Sequence, residues 1–380
     1  PPYITMVGNS TLSIEQSDIR GSDGVPEIGG HCDTIRLVEC QIKTDNGSPF
    51  VFIESKRCCM IDNVIEIYAS GVVATTEERR RTNVFDVKAE EVEISGNRIT
   101  AWAVCNTIFE LASSHKVSFS ENDVRMRVSG AERYWSIVSC ESPLISITDN
   151  SVWGGGYLGC ITVKGGEDVQ VLRNRAIGGY RLFAVFDIRA AMCNVVDNYV
   201  LGAFGCDFIM YVTCSRAIIQ RNEFQECTVN SVIHVSSGVV AVSKNMFKRC
   251  EGVRYGYEIR NPYNLKVEKE WSKSGYAWDL VVIRHPDKGE NCNVSDNTVV
   301  QCRTMRVCLV LGGKDADMSV YIKQIMTWSL ARSTIDVVLE LNSKWSEDLA
   351  IEAFALLSLG NNVEKAVGWS RHNIRGLIRE

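Results

Sequence analysis

Eight positions are the first candidates for chemistry: Phe52, Asp86, Glu110, Ser139, Thr162, Asp187, Tyr211 and His234, each the middle residue of a short run flanked by apolar side chains. Successive side chains of an extended chain alternate between faces. The middle residues of Phe85-Asp86-Val87 and Val138-Ser139-Cys140 therefore point away from the side that their neighbours share. Asp86 and Glu110 fall in neighbouring repeats, which puts their carboxyls about 5 Å apart at strand spacing, near the separation that retaining glycosidases use. Mutual repulsion would then make one a general acid and leave the other as nucleophile or base. Asp187, Tyr211 and His234 would supply substrate contacts, although Asp187 and His234, two repeats apart, touch only through a ligand. A solvated sheet face also carries carboxylates by chance, so the row reads equally as a plain solvent-facing stripe.

Aromatic residues gather in the segments that follow the repeat anchors or lead into the next strand: Trp102, Tyr134-Trp135, Trp153-Gly154-Gly155-Gly156-Tyr157, Tyr180 and Phe204. Rings exposed on one edge stack on sugar faces, and glycine lets the chain approach closely. Trp135, Trp153, Tyr157 and Tyr180 are the substrate-binding candidates among them. The same rings would serve a subunit interface, where Trp and Tyr are favoured.

These positions depend on a repeat. The phrase apolar, any, apolar, two residues, Asn, any, apolar runs from Val92 to Ile99 around Asn97 and recurs around Asn122, Asn150, Asn174, Asn198, Asn222, Asn245 and Asn297. Upstream it fits Asn63 and, with substitutions, Cys40 and Ser17. The intervals are 23, 23, 34, 25, 28, 24, 24, 24, 23 and 52 residues, and the last reads as two periods with one degenerate coil. A period of about 24 residues with internal two-residue alternation predicts a solenoid of short strands. An inward Asn is tolerated only when its amide is bonded, which predicts a stacked ladder of Asn63, Asn97, Asn122, Asn150, Asn174, Asn198, Asn222, Asn245 and Asn297. The residues just before the anchors, Asp149, Arg173, Asp197, Arg221 and Lys244, largely alternate in sign and predict exposed ion pairs.

The 15 cysteines follow the same frame. Cys58, Cys193 and Cys292 lie five residues before an anchor, and Cys227, Cys250 and Cys302 five after one. They read as small interior side chains with free thiols. No Cys or His spacing suits zinc, so neither a metal nor another cofactor is expected. With 41 Lys+Arg against 46 Asp+Glu the formal charge is -5, which argues against nucleic acid as a partner. No apolar run reaches the length of a membrane span. The chain starts Pro1-Pro2-Tyr3-Ile4 without an initiator Met, which suggests a trimmed piece of a longer protein.

The repeat phrase resembles that of the right-handed parallel β-helix superfamily of pectate lyases, polygalacturonases, epimerases and phage tailspikes, over residues 10 to 312. The polygalacturonase motifs are absent, and so is the Asp-rich N-terminal signature of lyase-like tailspikes. Within the superfamily the chain is most similar in character to tailspike and viral-fibre proteins. The resemblance implies an all-β, right-handed parallel β-helix of about 11 to 13 coils over 1–312, with insertions near 70–83 and 252–280. Residues 313–380 are expected to form a terminal coil and a partly helical cap or oligomerisation segment, with a short helix over Asp348 to Leu359. The function implied is recognition of surface polysaccharide, with or without cleavage by a glycoside hydrolase reaction. Polysaccharide and other virion proteins would be its partners, as a homotrimer on a virion surface or extracellular after cytosolic folding. The alternative is a non-enzymatic structural or adaptor β-helix.

Overall fold

A computed structural model describes residues 4–21, 28–44, 51–68, 83–102, 107–126, 136–154, 159–179, 182–252, 279–284, 292–311, 324, 327–331, 334–341 and 367–369. The chain divides into two compact units, Pro1–Met192 and Cys193–Glu380.

In the first unit the long strands Ile4–Glu15, Ile28–Val38, Val51–Ile61, Asn83–Ser95 and Thr107–Ser120 pair in parallel, each with the next. Ser136–Glu141, Gly159–Gly165 and Ala184–Arg189 continue one half of this ladder, while Leu144–Thr148 and Asp168–Leu172 continue the other. A second parallel ladder stacks the short strands Asp18–Gly21, Gln41–Thr44, Val64–Tyr68, Arg98–Trp102, Asp123–Met126, Ser151–Trp153 and Arg175–Ile177. In the second unit Phe204–Gln220, Thr228–Ser243, Asp279–Arg284, Arg303–Leu311, Thr334–Leu341 and Val367–Trp369 pair in parallel in that order. Its short ladder is Tyr199–Leu201, Glu223–Gln225, Met246–Lys248, Thr298–Val300 and Ser329–Ala331. Each unit is thus a parallel β-solenoid, all-β as the period requires, and the pairing runs on past residue 312. The expected helix over 348–359 lies outside the described residues, as do most of the two expected insertions.

Between long and short strand the chain turns a corner, and the described corners from Asn63 to Asn297 are built alike. One residue adopts the left-handed conformation, as Asp62, Gly96, Glu121, Asp149 and Arg173 do in the first unit and Asp197, Arg221, Lys244 and Asp296 in the second. The residue after it is the buried anchor Asn. The Asn63 side-chain amide donates to the Asn97 Oδ1 at 2.9 Å and to the Leu37 carbonyl at 2.9 Å, while its Oδ1 accepts the Cys40 backbone N–H. The same pattern carries Asn97 to Asn122, Asn150 and Asn174, and separately Asn198 to Asn222, Asn245 and Asn297. No amide on the ladder is left to pay for its own dehydration.

Side chains of other chemistry close the ladders. Cys40 holds the anchor position in the coil before Asn63, and its thiol donates to the Ile14 carbonyl at 3.3 Å, as the Asn amides do. Trp328 follows Asn297, since Ser329 pairs with Thr298, and its indole N–H reaches the Val294 carbonyl at 2.6 Å. The next corner is therefore at Trp328, 31 residues after Asn297.

The 52-residue interval holds one coil and not two. Asn245 bonds directly to Asn297 at 3.0 Å, and Met246 pairs with Thr298. The degenerate coil expected there is not a separate rung of the Asn ladder, and Asp279–Arg284 within the interval pairs directly with the long strands on either side. The 34-residue interval is likewise one coil, with Asn63 directly on Asn97.

A second corner follows the short strands. In the second unit Glu226, Arg249 and Gln301 adopt the left-handed conformation there, each followed by a buried cysteine, Cys227, Cys250 and Cys302. The Cys250 and Cys302 thiols donate to the Phe224 and Phe247 carbonyls at 3.4 Å, and Cys302 Sγ accepts the Cys250 backbone N–H at 3.4 Å. This is a thiol version of the Asn ladder. All 14 described cysteines are free, and burial pushes Cys160 up to about 12 and Cys58 and Cys140 further still. The exposed ion pairs expected before the anchors form as Arg173–Asp149 in the first unit and Arg221–Asp197 in the second, both at 2.7 Å.

Candidate functional site

Parallel pairing puts the row predicted from the sequence into register. Asp86 is opposite Glu110, Glu110 opposite Ser139, Ser139 opposite Thr162 and Thr162 opposite Asp187 in the first unit. Tyr211 is opposite His234 in the second. Asp86 and Glu110 therefore do sit on neighbouring rungs. Glu110 is engaged with Lys164, which reaches back over the intervening strand to form an ion pair with it.

The row is less open than strand alternation suggested. Asp86 and Glu110 are partly exposed, but Ser139, Asp187 and His234 are only 2%, 4% and 4% exposed. The reason lies two residues earlier on the same outer face. Val84, Ile108, Ile137, Cys160 and Val185 in the first unit, and Ile209, Val232 and Leu280 in the second, are apolar and buried. The outer face is therefore covered along this file, and Ser139, Asp187 and His234 lie at the edge of that cover, whereas Lys88 and Lys164 further along the same face are exposed. The signal is present in the sequence as an unbroken apolar file two residues before the polar row, from Val84 to Val232.

At the edge of the cover the polar groups are unevenly satisfied. The Thr162 and Ser136 hydroxyls meet at 2.7 Å. Arg189 approaches Asp187 Oδ2 at 3.5 Å, while Asp187 Oδ1 and Ser139 Oγ are buried with no hydrogen-bond partner. Burial raises the Asp187 carboxyl above the ordinary aspartate value, and Arg189 only partly opposes it. In the second unit the Tyr211 and His234 rings stack at 5.2 Å with Phe208 packed at 5.1 and 5.0 Å from them, so both are held in an aromatic cluster.

The exposed aromatic residues described in the first unit are on the short-strand ladder. Trp102 and Trp153, expected in loops, end the strands Arg98–Trp102 and Ser151–Trp153. Tyr68, opposite Trp102, stacks on it at 4.6 Å and 7°. Trp153 is 38% exposed, and the guanidinium carbons of Arg125 and Arg175 on the neighbouring strands each lie 5.8 Å from its ring centre. The indole N–H donates to Ser151 Oγ at 3.0 Å, and Asp123 holds Arg125 at 2.9 Å. Trp135, Tyr157 and Tyr180 lie outside the described residues.

A cavity of about 480 Å³ opens over His31, Asp33, Glu54, Lys56 and Lys88. Most of its charges are paired: His31 meets Glu54 at 3.0 Å, Lys56 meets Asp33 at 2.7 Å, and Lys88 lies 4.0 Å from Glu54. Among the described residues no group of three or more His, Cys, Asp or Glu side chains is arranged to hold a metal ion. No known protein family, curated protein or solved structure matches the chain.

Proposed function

We propose that the chain is a polysaccharide-recognising β-solenoid of the tailspike or viral-fibre kind, gripping an extended glycan on the exposed short-strand ladder of its first unit. The observation that carries this reading is Trp153 set between Arg125 and Arg175 on consecutive strands, with Tyr68 stacked on Trp102 along the same ladder. Aromatic ring faces stack on the apolar C–H faces of sugars. Guanidinium groups pair with carboxylates or sulfates, so an acidic polysaccharide is the favoured class. A rigid ladder offers these contacts without ordering itself on binding. Homotrimeric assembly on a virion surface belongs to the same reading. If the chain also cleaves its ligand, Asp86 and Glu110 are the carboxylate pair to test, with Lys164 as the neighbour that holds Glu110.

The full chain on an acidic- and neutral-glycan array, followed by a reducing-end assay on any hit, tests this. Binding to acidic polysaccharides should be lost in Trp153→Ala and weakened at least tenfold in the double variant Arg125→Gln, Arg175→Gln. Absence of binding by the wild type would overturn the reading. A structural or adaptor role has its own support in the second unit, where Phe204 and Met246 are 48% and 38% exposed and suit a protein contact. Sedimentation of the wild type and of Phe204→Ser distinguishes that role from glycan recognition.

A further inference from the structure

Cys193 and Cys214 belong to neighbouring strands of the second unit, Met192–Val196 and Phe204–Gln220, and their sulfurs are 3.5 Å apart. The Cys250 thiol also meets those of Cys227 and Cys302, but those three are buried and the Cys250 and Cys302 thiols donate to main-chain carbonyls as well. A disulfide needs a separation of about 2.05 Å, so the atoms must close by about 1.5 Å. Access is also asymmetric: Cys193 is buried, whereas Cys214 is partly exposed.

We infer that Cys193 and Cys214 are a modification site, a dithiol that exchanges with small-molecule disulfides such as oxidised glutathione to form an intramolecular disulfide. Cys214 is the attacking group. Its thiol lies below the ordinary cysteine value because Cys193 hydrogen-bonds to it, with further help from Ser237 and the Arg216 backbone against the opposing effect of burial. Cys193 is held well above the ordinary value by the same hydrogen bond and by burial, and is the resolving thiol. The Cys214 thiolate attacks one sulfur of the small disulfide, forming a mixed disulfide and expelling one small thiolate. That thiolate takes the Cys193 proton, and the Cys193 sulfur attacks the Cys214 sulfur and expels the second. Two protein thiols lose two electrons and two protons, and one small disulfide becomes two thiols. The other thiol contacts of this unit have no such route, because Cys227, Cys250 and Cys302 are buried.

The test treats the native full chain with oxidised glutathione, quenches with an alkylating agent in denaturant, and maps peptides without reduction. The expected product is a peptide pair linked through Cys193 and Cys214, with Cys227, Cys250 and Cys302 alkylated. Cys193→Ser should trap glutathione on Cys214, and Cys214→Ser should leave Cys193 unmodified. Wild-type protein that remains fully reduced, keeps glutathione on Cys214, or joins a different pair overturns the inference. The wild-type map decides the matter even if a variant fails to fold.

Discussion

Asn122 holds Asn97 through a single atom, its Oδ1, which accepts the Asn97 backbone N–H at 3.0 Å and the Asn97 side-chain amide at 2.9 Å. Asn122→Leu removes that acceptor and strands the Asn97 backbone N–H inside the solenoid, while the Asn97 amide keeps the Met60 and Ser95 carbonyls. An unmet buried donor costs about 1–3 kcal/mol, and the substitution should lower stability by about that much in denaturant unfolding. Asn122→Cys should cost less than half as much, because sulfur already accepts and donates along the thiol ladder at Cys302 and Cys250. If Cys and Leu cost the same, the amide acceptor is not what holds the rungs.

The left-handed corner gives a second expectation. Gly96 is the one glycine before an anchor Asn, at φ +68°, and a Cβ there would meet Asp62 Oδ1 at 2.0 Å. Asp62 is exposed and can swing away, so the cost of Gly96→Ala is mainly conformational. A loss of about 1–2 kcal/mol is expected in the same unfolding assay, and a neutral result would contradict the backbone argument.

Asp187 makes stability depend on pH. Its carboxyl titrates above the ordinary aspartate value in the folded chain, so the folded state holds the proton more tightly than the unfolded state does. The stabilisation this gives is full below the unfolded value of about 3.9 and is lost as pH rises through the folded value. Asp187→Asn removes the dependence. Relative to wild type, the variant should gain stability between pH 4 and pH 7, read from unfolding midpoints at both. A difference that stays flat or reverses would mean that Arg189 outweighs burial.

Much of this architecture was legible in the sequence because each coil states its own register. Val92, Ile94, Asn97 and Ile99 are all buried, as the phrase around Asn97 requires, and the same alternation set the opposition of Asp86 and Glu110. Strand alternation says which side a residue faces but not whether that side is wet, so the burial of Ser139, Asp187 and His234 could not be read from it. The left-handed corners were hidden for a different reason. Before the anchors Asp, Glu, Arg and Lys all occupy them, and only Gly96 carries the expected residue type there. Trp153 was recognised as a candidate, but its partners were not, since Arg125 and Arg175 lie 28 and 22 residues away and meet it only through strand pairing.

The direct bond from Asn245 to Asn297 also bears on how such a chain changes over generations. The ladder recognises the next rung by chemistry and is indifferent to how much polypeptide lies between, whether 23 residues from Asn222 to Asn245 or 52 from Asn245 to Asn297. Material can be gained, lost or exchanged between two rungs without disturbing the inherited core on either side. Such a scaffold separates what must be conserved from what is free to diversify, and leaves the intervals after Asn63 and Asn245 as the places where novelty is admitted.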